Sequence, residues 1–146
     1  FKLPESKILK EVAIVPGVDG RKMSKSYGNT IELFSSDDEI EKAVMSIVTD
    51  SSGERPENVY AIHSLLLDRD SLDKLYEEKK GKYKELKEAL IEDLKKFIGP
   101  MREKREELEK DRTKVLEVLK EGGKVARERA EKKMEEVREK VGLKLS

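Results

Sequence analysis

Two lysines three residues apart, Lys22 and Lys25, alternate with the hydroxyls of Ser24 and Ser26 in the stretch running from Val15 to Thr30. Pro16, Gly17, Gly20 and Gly28 interrupt any regular helix there and permit tight turns. Cations, hydroxyls and free backbone amides collected on one such loop suit a phosphate group, because charge and hydrogen bonds then act on the same anion. A Walker A loop is excluded: that motif requires glycine before its lysine and serine or threonine after it, whereas Arg21 precedes Lys22 and Met23 follows it. On residue types alone, a phosphate-handling loop and an ordinary solvated basic turn both fit.

The order of the residues narrows this. Lys22-Met23-Ser24-Lys25-Ser26, continued by Gly28-Asn29, resembles the KMSKS signature of the class I aminoacyl-tRNA synthetases. Ile14-Val15, Gly17-Val18-Asp19-Gly20, Asn29-Thr30-Ile31 and Val48-Thr49-Asp50-Ser51 look like the tryptophanyl and tyrosyl subclass. The segments from Ile98 to Arg105, Glu121 to Arg127, Met134 to Arg138 and Val141 to Leu143 are similar to the tail of tryptophanyl-tRNA synthetases.

The resemblance implies a C-terminal portion of such a ligase, from the KMSKS loop onward, that takes part in activating tryptophan with ATP and transferring it to tRNA(Trp). It assigns Lys22 and Lys25 the catalytic task of stabilising departing pyrophosphate, and places Ile14, Val15, Lys22, Met23, Ser24, Lys25 and Ser26 at the ATP site. Ile14 and Val15 would line the adenine, and Met23 would anchor the loop. Mg2+ would arrive with ATP, with no metal bound by this part of the protein. L-tryptophan would need the N-terminal part, whose His-x-Gly-His element is not encoded here, so the chain is expected to be inactive alone. The whole enzyme is implied to be a homodimer. Exposed Arg55, Arg69, Arg102 and Arg105 are candidate tRNA contacts, or else solvated helix surface. Other readings are a tyrosyl-tRNA synthetase fragment, a free-standing RNA-binding helical module with a vestigial loop, and a purely structural helical protein.

The composition bounds the carrier of this loop. Of 146 residues, 44% are charged and 36% apolar, and the 32 basic and 32 acidic side chains balance. A dedicated nonspecific nucleic-acid binder is usually strongly basic, so any RNA contact here requires cations segregated on one face. With no cysteine and one histidine, disulfide frameworks and zinc or iron–sulfur sites are excluded. No signal peptide or membrane-spanning run is visible, which predicts a soluble, cytoplasmic protein with no membrane partner.

The elements that position the loop are predicted to be helical. Val12 to Val15 reads as a single strand. Ser36-Asp37-Asp38-Glu39 is a capping box, opening a helix from about 37 to 49 with Ile40, Val44, Ile47 and Val48 on one face. Pro56 suits the first position of a second helix carrying Val59, Ile62, Leu65 and Leu66. His63 within it is expected to be a packed or rim histidine. A third helix starts near Asp70 or Ser71 and is separated by Gly81 from a long one. That long helix carries the stripe Tyr83, Leu86, Leu90, Leu94, Phe97, Ile98 and Met101, with a kink or restart at Gly99-Pro100. A short helix capped by Asp111 or Thr113 ends at Gly122-Gly123. A last one, with the narrow stripe Ala126, Ala130, Met134, Val137 and Val141 packed within the chain, closes at Gly142. The expected fold is an all-α helical bundle of about six helices, preceded by one residual strand and loop from a truncated Rossmann-like catalytic domain. Residues 1–34 would be the end of that domain, and 35–146 a helical anticodon-binding domain.

Overall fold

Ser36 and Glu39 bond reciprocally: the Glu39 amide donates to Ser36 Oγ at 3.3 Å and the Ser36 amide to Glu39 Oε2 at 2.7 Å. With Asp37, Asp38 and Glu39 complementing the positive helix end, this box starts α1, Asp37–Met45. A computed structural model describes residues 3–8, 14–49, 53 and 55–143 of the chain. In it follow α2 (Glu57–His63), α3 (Arg69–Glu78), α4 (Tyr83–Lys110) and α5 (Arg112–Lys140). The chain is all-helical, as its periodicity predicts, with five α-helices among the described residues instead of about six.

The predicted strand is not found. Val12 and Ala13 lie outside the described residues, and Ile14 and Val15 are not in a strand. A strand needs a neighbour to pair with, and among the described residues the only ladder contact is an isolated bridge between Pro16 and Lys22. The segment instead enters the loop directly.

Helix boundaries moved where tertiary bonds replaced helical ones. α1 stops at Met45, short of residue 49, because Lys87 Nζ on α4 donates to the carbonyls of Met45 at 2.9 Å and Ile47 at 2.8 Å, while the Val48 amide turns to the Val18 carbonyl at 2.8 Å. Pro56 caps α2 from the position before its first residue. That helix ends at His63, and Leu65 and Leu66 lie in turns whose amides reach back to Ile62 and His63 at 3.1 and 3.0 Å. Asp68 caps α3 by accepting from the Ser71 amide at 3.0 Å, so α3 starts at Arg69, before the expected Asp70 or Ser71.

The main core gathers Ile40 and Val44 of α1, Ile47, Val59 and Ile62 of α2, and Leu90, Ile91, Leu94 and Ile98 of α4, with Val18, Ile31 and Leu66 packed against it. A satellite cluster joins Leu72 and Tyr76 to Leu86. Phe97 and Met101, expected in the buried stripe, are exposed. His63 is fully buried, as a packed histidine, with Nε2 3.0 Å from Asp93 Oδ2 and Nδ1 3.3 Å from the Tyr76 hydroxyl. Burial raises the Asp93 carboxyl pKa, but the bonds from His63 and Lys96 outweigh it and the net shift is downward.

The first expected interruption brings no restart, and the second no helix end. Pro100 lies inside α4, and the carbonyl its missing N–H leaves unpaired belongs to exposed Lys96, where water can serve it. Gly122 and Gly123 lie inside α5, at a cost of about 1 kcal/mol each relative to alanine, which is too little to end a long helix. Gly142 closes α5 at φ +73°, with the Leu143 amide donating to Arg138 at 2.8 Å and that of Gly142 to Glu139 at 3.3 Å, a Schellman cap.

The chain divides into two compact units, residues 1–102 and 103–146, with the division inside α4. In the second unit α5 buries none of its residues, so the predicted packing of its narrow stripe within the chain is not observed. Met134 and Val141 of that stripe stay exposed.

Candidate functional site

The loop is built on Asn29. Its side chain is 1% exposed, and its Oδ1 accepts from the Ser24 amide at 2.8 Å while its Nδ2 donates to Asp19 Oδ1 at 2.7 Å and to the Lys22 carbonyl at 3.2 Å. One amide thus ties together the residue at the start of the lysine segment, the one between the cations, and the turn before them. Gly17 makes room for it: a Cβ there would sit 2.4 Å from Asn29 Cγ and 2.6 Å from its carbonyl oxygen. Asp19 and Gly20 form the turn, with Gly20 at φ +79°, a conformation open to glycine.

Asp19 serves both sides of this turn. Besides Asn29, it accepts from the Arg21 amide at 3.0 Å and from Arg21 Nε at 2.8 Å. The Asn29 amide above all holds its carboxyl below the ordinary carboxylate range; burial opposes it, and the Arg21 guanidinium and amide add to the lowering. Arg21 in turn lies over the Tyr27 ring, 4.8 Å from its centroid. The Gly17 amide donates to the Arg21 carbonyl at 2.7 Å, the Met23 amide to Val15 at 2.8 Å, and the Val18 amide to Asn29 at 3.0 Å.

Beyond this base the loop bonds to itself. Lys25–Tyr27 form one 3-10 turn, closed by Gly28 at φ +64°. The Ser24 and Ser26 hydroxyls are 2.8 Å apart. Lys22, Lys25 and Ser26 are exposed, and Met23 and Ser24 are half-buried. Among the described residues no carboxylate pairs with Lys22 or Lys25, while Arg21 beside them is neutralised by Asp19. The base therefore consumes one cation internally and leaves two presented to solvent. Val15 is half-buried and Ile14 exposed, both beside the base.

The Asp19–Arg21–Asn29 network was not read from the sequence. Its signal was present: Asp19-Gly20 is a turn dipeptide, and an asparagine directly after Gly28 is a side chain able to bond backbone on both faces. The four arginines offered as RNA contacts all have partners in the chain. Arg55 pairs with Glu57 at 2.7 Å and covers the Tyr60 ring, Arg69 pairs with Asp73 at 3.7 Å, and Arg105 with Glu109 at 2.9 Å. Arg102 donates to the Ser35 carbonyl at 2.7 Å and to Asp37 at 2.8 Å. The exposed pairs are worth about 0–1 kcal/mol and can be exchanged for a phosphate, whereas Arg102 is a half-buried tie between α4 and the start of α1.

A cavity of about 470 Å³ is lined by Arg55, Glu57, Asp73, Tyr76, Glu77 and Lys80. Of these, Arg55, Glu57 and Asp73 are already engaged within the chain, Asp73 by the Tyr60 hydroxyl at 2.6 Å. Among the described residues no group of three or more acidic or histidine side chains could hold a metal ion, and no helix is long and apolar enough to cross a membrane.

The model of the family of class I tRNA synthetases (W and Y) matches residues 1–117. A tryptophan–tRNA ligase of Fusobacterium nucleatum is 43% identical over 151 residues, covering 98% of this chain and 46% of the relative. That of Aquifex aeolicus is 41% identical over 96% of this chain and 39% of its own length. The crystal structure of the tryptophanyl-tRNA synthetase of Campylobacter jejuni, complexed with ADP and tryptophan, superposes with a TM-score of 0.76 at 37% identity, over 98% of this chain and 48% of that one. The chain spans about half the length of the relatives it matches.

Proposed function

The chain belongs to the class I tRNA synthetases of the tryptophan and tyrosine group, and from this premise we propose that it is the C-terminal part of a tryptophan–tRNA ligase, supplying the loop that stabilises departing pyrophosphate and the helices that hold tRNA(Trp). The names of its relatives favour the tryptophan member over the tyrosine one. In this reading residues 1–34 complete the catalytic domain and 35–146 bind the tRNA. The observation that carries it is the contrast inside the loop: a base fastened by buried Asn29, and exposed Lys22 and Lys25 with no carboxylate partner among the described residues.

Tryptophan activation proceeds by attack of a carboxylate oxygen on the α-phosphorus of ATP. The bond from that phosphorus to the bridging oxygen breaks, and pyrophosphate leaves with the electron pair. Negative charge grows on the leaving group, so cations placed there stabilise the transition state more than the ground state. Lys22 and Lys25 supply those cations, Ser24 and Ser26 supply hydrogen bonds, Met23 anchors the loop, and Ile14 with Val15 lines the adenine. Mg2+ enters bound to ATP. A cytoplasmic, homodimeric whole enzyme completes the reading, on the strength of the resemblance.

The only histidine of the chain, His63, is buried between Tyr76 and Asp93 and is unavailable to nucleotide. The chain alone is therefore expected to show no tryptophan-dependent ATP–pyrophosphate exchange, and the full-length ligase to show it. In the full-length protein, Lys25→Ala should depress exchange at unchanged tryptophan affinity. Exchange by the chain alone, or wild-type exchange by the variant, would contradict the proposal.

A further inference from the structure

The loop's chemistry depends on where its base sits, and three contacts outside the loop fix that position. The Val18 carbonyl accepts from the Val48 amide at 2.8 Å, and the Val48 carbonyl accepts from Asn58 Nδ2 at 2.9 Å. The same Asn58 amide lies against Gly20: a Cβ on Gly20 would come within 2.9 Å of Asn58 Nδ2. On the other side of the segment, Lys87 Nζ of α4 donates to the carbonyls of Met45 and Ile47 at 2.9 and 2.8 Å. Residues 45–48 are thus gripped by α2 and α4 while one of their amides holds the loop, and Ile47 between them is buried in the core.

Both side chains reach these carbonyls from half-buried positions. Asn58 is half-buried near the start of α2, and Lys87 is half-buried on α4, where an ammonium finds two carbonyls and among the described residues no carboxylate. Neither belongs to the signature that reads as ATP-binding, and each is remote from it in sequence. Among the described residues the tip beyond Met23 has no comparable tie to the helices: apart from the Ser24 amide on Asn29, its bonds run between Ser24 and Ser26, Tyr27 and Ser24, and Gly28 and Lys25.

We infer that segment 45–48 is a strap that seats the lysine loop on the helical core, and that Asn58 and Lys87 are positioning residues for pyrophosphate departure, acting through the placement of Lys22 and Lys25. The inference rests on the role proposed above for those lysines. Displacing a reacting group by a fraction of an ångström slows a step whose catalysis is electrostatic and positional, although neither residue touches nucleotide.

The test is a double-mutant cycle in the full-length ligase containing this chain, read by single-turnover adenylate formation. Asn58→Asp replaces the donor facing the Val48 carbonyl with an acceptor, and Lys87→Met keeps the stem but removes the donors. Each should slow adenylate formation about tenfold, as expected for small misplacement, with little change in tryptophan KM. Lys87→Arg, which retains donors, should restore most of the rate. In a Lys22→Ala/Lys25→Ala background the same substitutions should have little further effect, because both groups they place are gone. Thermal midpoints measured alongside identify any variant that is unfolded at the assay temperature, and Asn58→Ala, which adds no charge, then replaces Asn58→Asp. An undiminished rate in well-folded variants, or an equal slowing with and without the two lysines, would overturn the strap while leaving the loop's role intact. If Lys25→Ala by itself leaves the rate unchanged, the role of the loop fails, and the strap falls with it.

Discussion

Replacing Asn29 by alanine removes the part on which the loop is built. Its side chain makes hydrogen bonds to the Ser24 amide, Asp19 and the Lys22 carbonyl, and it is buried. The losses differ. The Lys22 carbonyl belongs to an exposed residue and turns to water, and Asp19 keeps Arg21. The Ser24 amide, half-buried, is left without its acceptor. Two bonds of about 1 kcal/mol each and one stranded donor at about 1–3 kcal/mol place the total at roughly 3–5 kcal/mol, some of it recovered by relaxation of the loop. For a unit of this size, at about 5 °C per kcal/mol, that corresponds to a fall in Tm of roughly 15–25 °C. Asn29→Asp should behave differently, since it sets a second carboxylate against Asp19. The two repel at neutral pH, one of them titrates above its ordinary value, and the variant should regain stability as pH falls through that raised pKa. Urea denaturation followed by circular dichroism, with exchange of the Ser24 amide read by NMR, measures both effects. A cost below about 0.5 kcal/mol for Asn29→Ala, with Ser24 protection unchanged, would refute the claim that this amide organises the loop.

Leu90→Ala removes a fully buried side chain from the centre of the main core and should cost about 2–5 kcal/mol in denaturant unfolding. Carboxyl groups held below their ordinary range by hydrogen bonds, including Asp19, Glu39, Asp68 and Asp93, stabilise the fold while ionised. Their contribution is present above the unfolded carboxylate pKa of about 4 and is lost as pH falls through the lowered folded values, so an acid titration of Tm should drop steeply below about pH 4. Gly123→Ala should stabilise α5 by about 1 kcal/mol and raise helicity by circular dichroism, because a Cβ there meets nothing within 4 Å.

What the sequence disclosed was local. The Ser36–Glu39 box, the Leu86, Leu90, Leu94 and Ile98 stripe and the Gly142 stop each depend on residues a few positions apart, and each stands where its spacing placed it. A restart at Pro100 and an end at Gly122-Gly123 are not found, for the same reason in reverse. A local penalty of a few kcal/mol decides an isolated peptide, but an exposed helix face lets water serve the orphaned carbonyl, and the helix continues. The contacts that seat the loop join residues remote in sequence. Lys87 meets Met45 across 42 positions and Ile47 across 40, and Asn58 meets Val48 across 10. No period or motif encodes such pairings. At the site itself the sequence exposed the lysines and serines, which carry chemistry in their types, and concealed Asn29 and Asp19, whose part is to hold backbone.

The central claim is that Lys22 and Lys25 serve one leaving group. Single-turnover adenylate formation by the full-length ligase, compared for wild type, Lys22→Ala, Lys25→Ala and the double variant, with tRNA binding measured beside it, tests this directly. The account predicts that each single variant slows activation by roughly two to three orders of magnitude, the range for losing one preorganised donor. The double variant should fall short of the product of the two, because both cations act on the same anion, and tRNA affinity should be unchanged. Intact activation rates accompanied by weakened tRNA binding would make the loop an RNA contact and contradict the account.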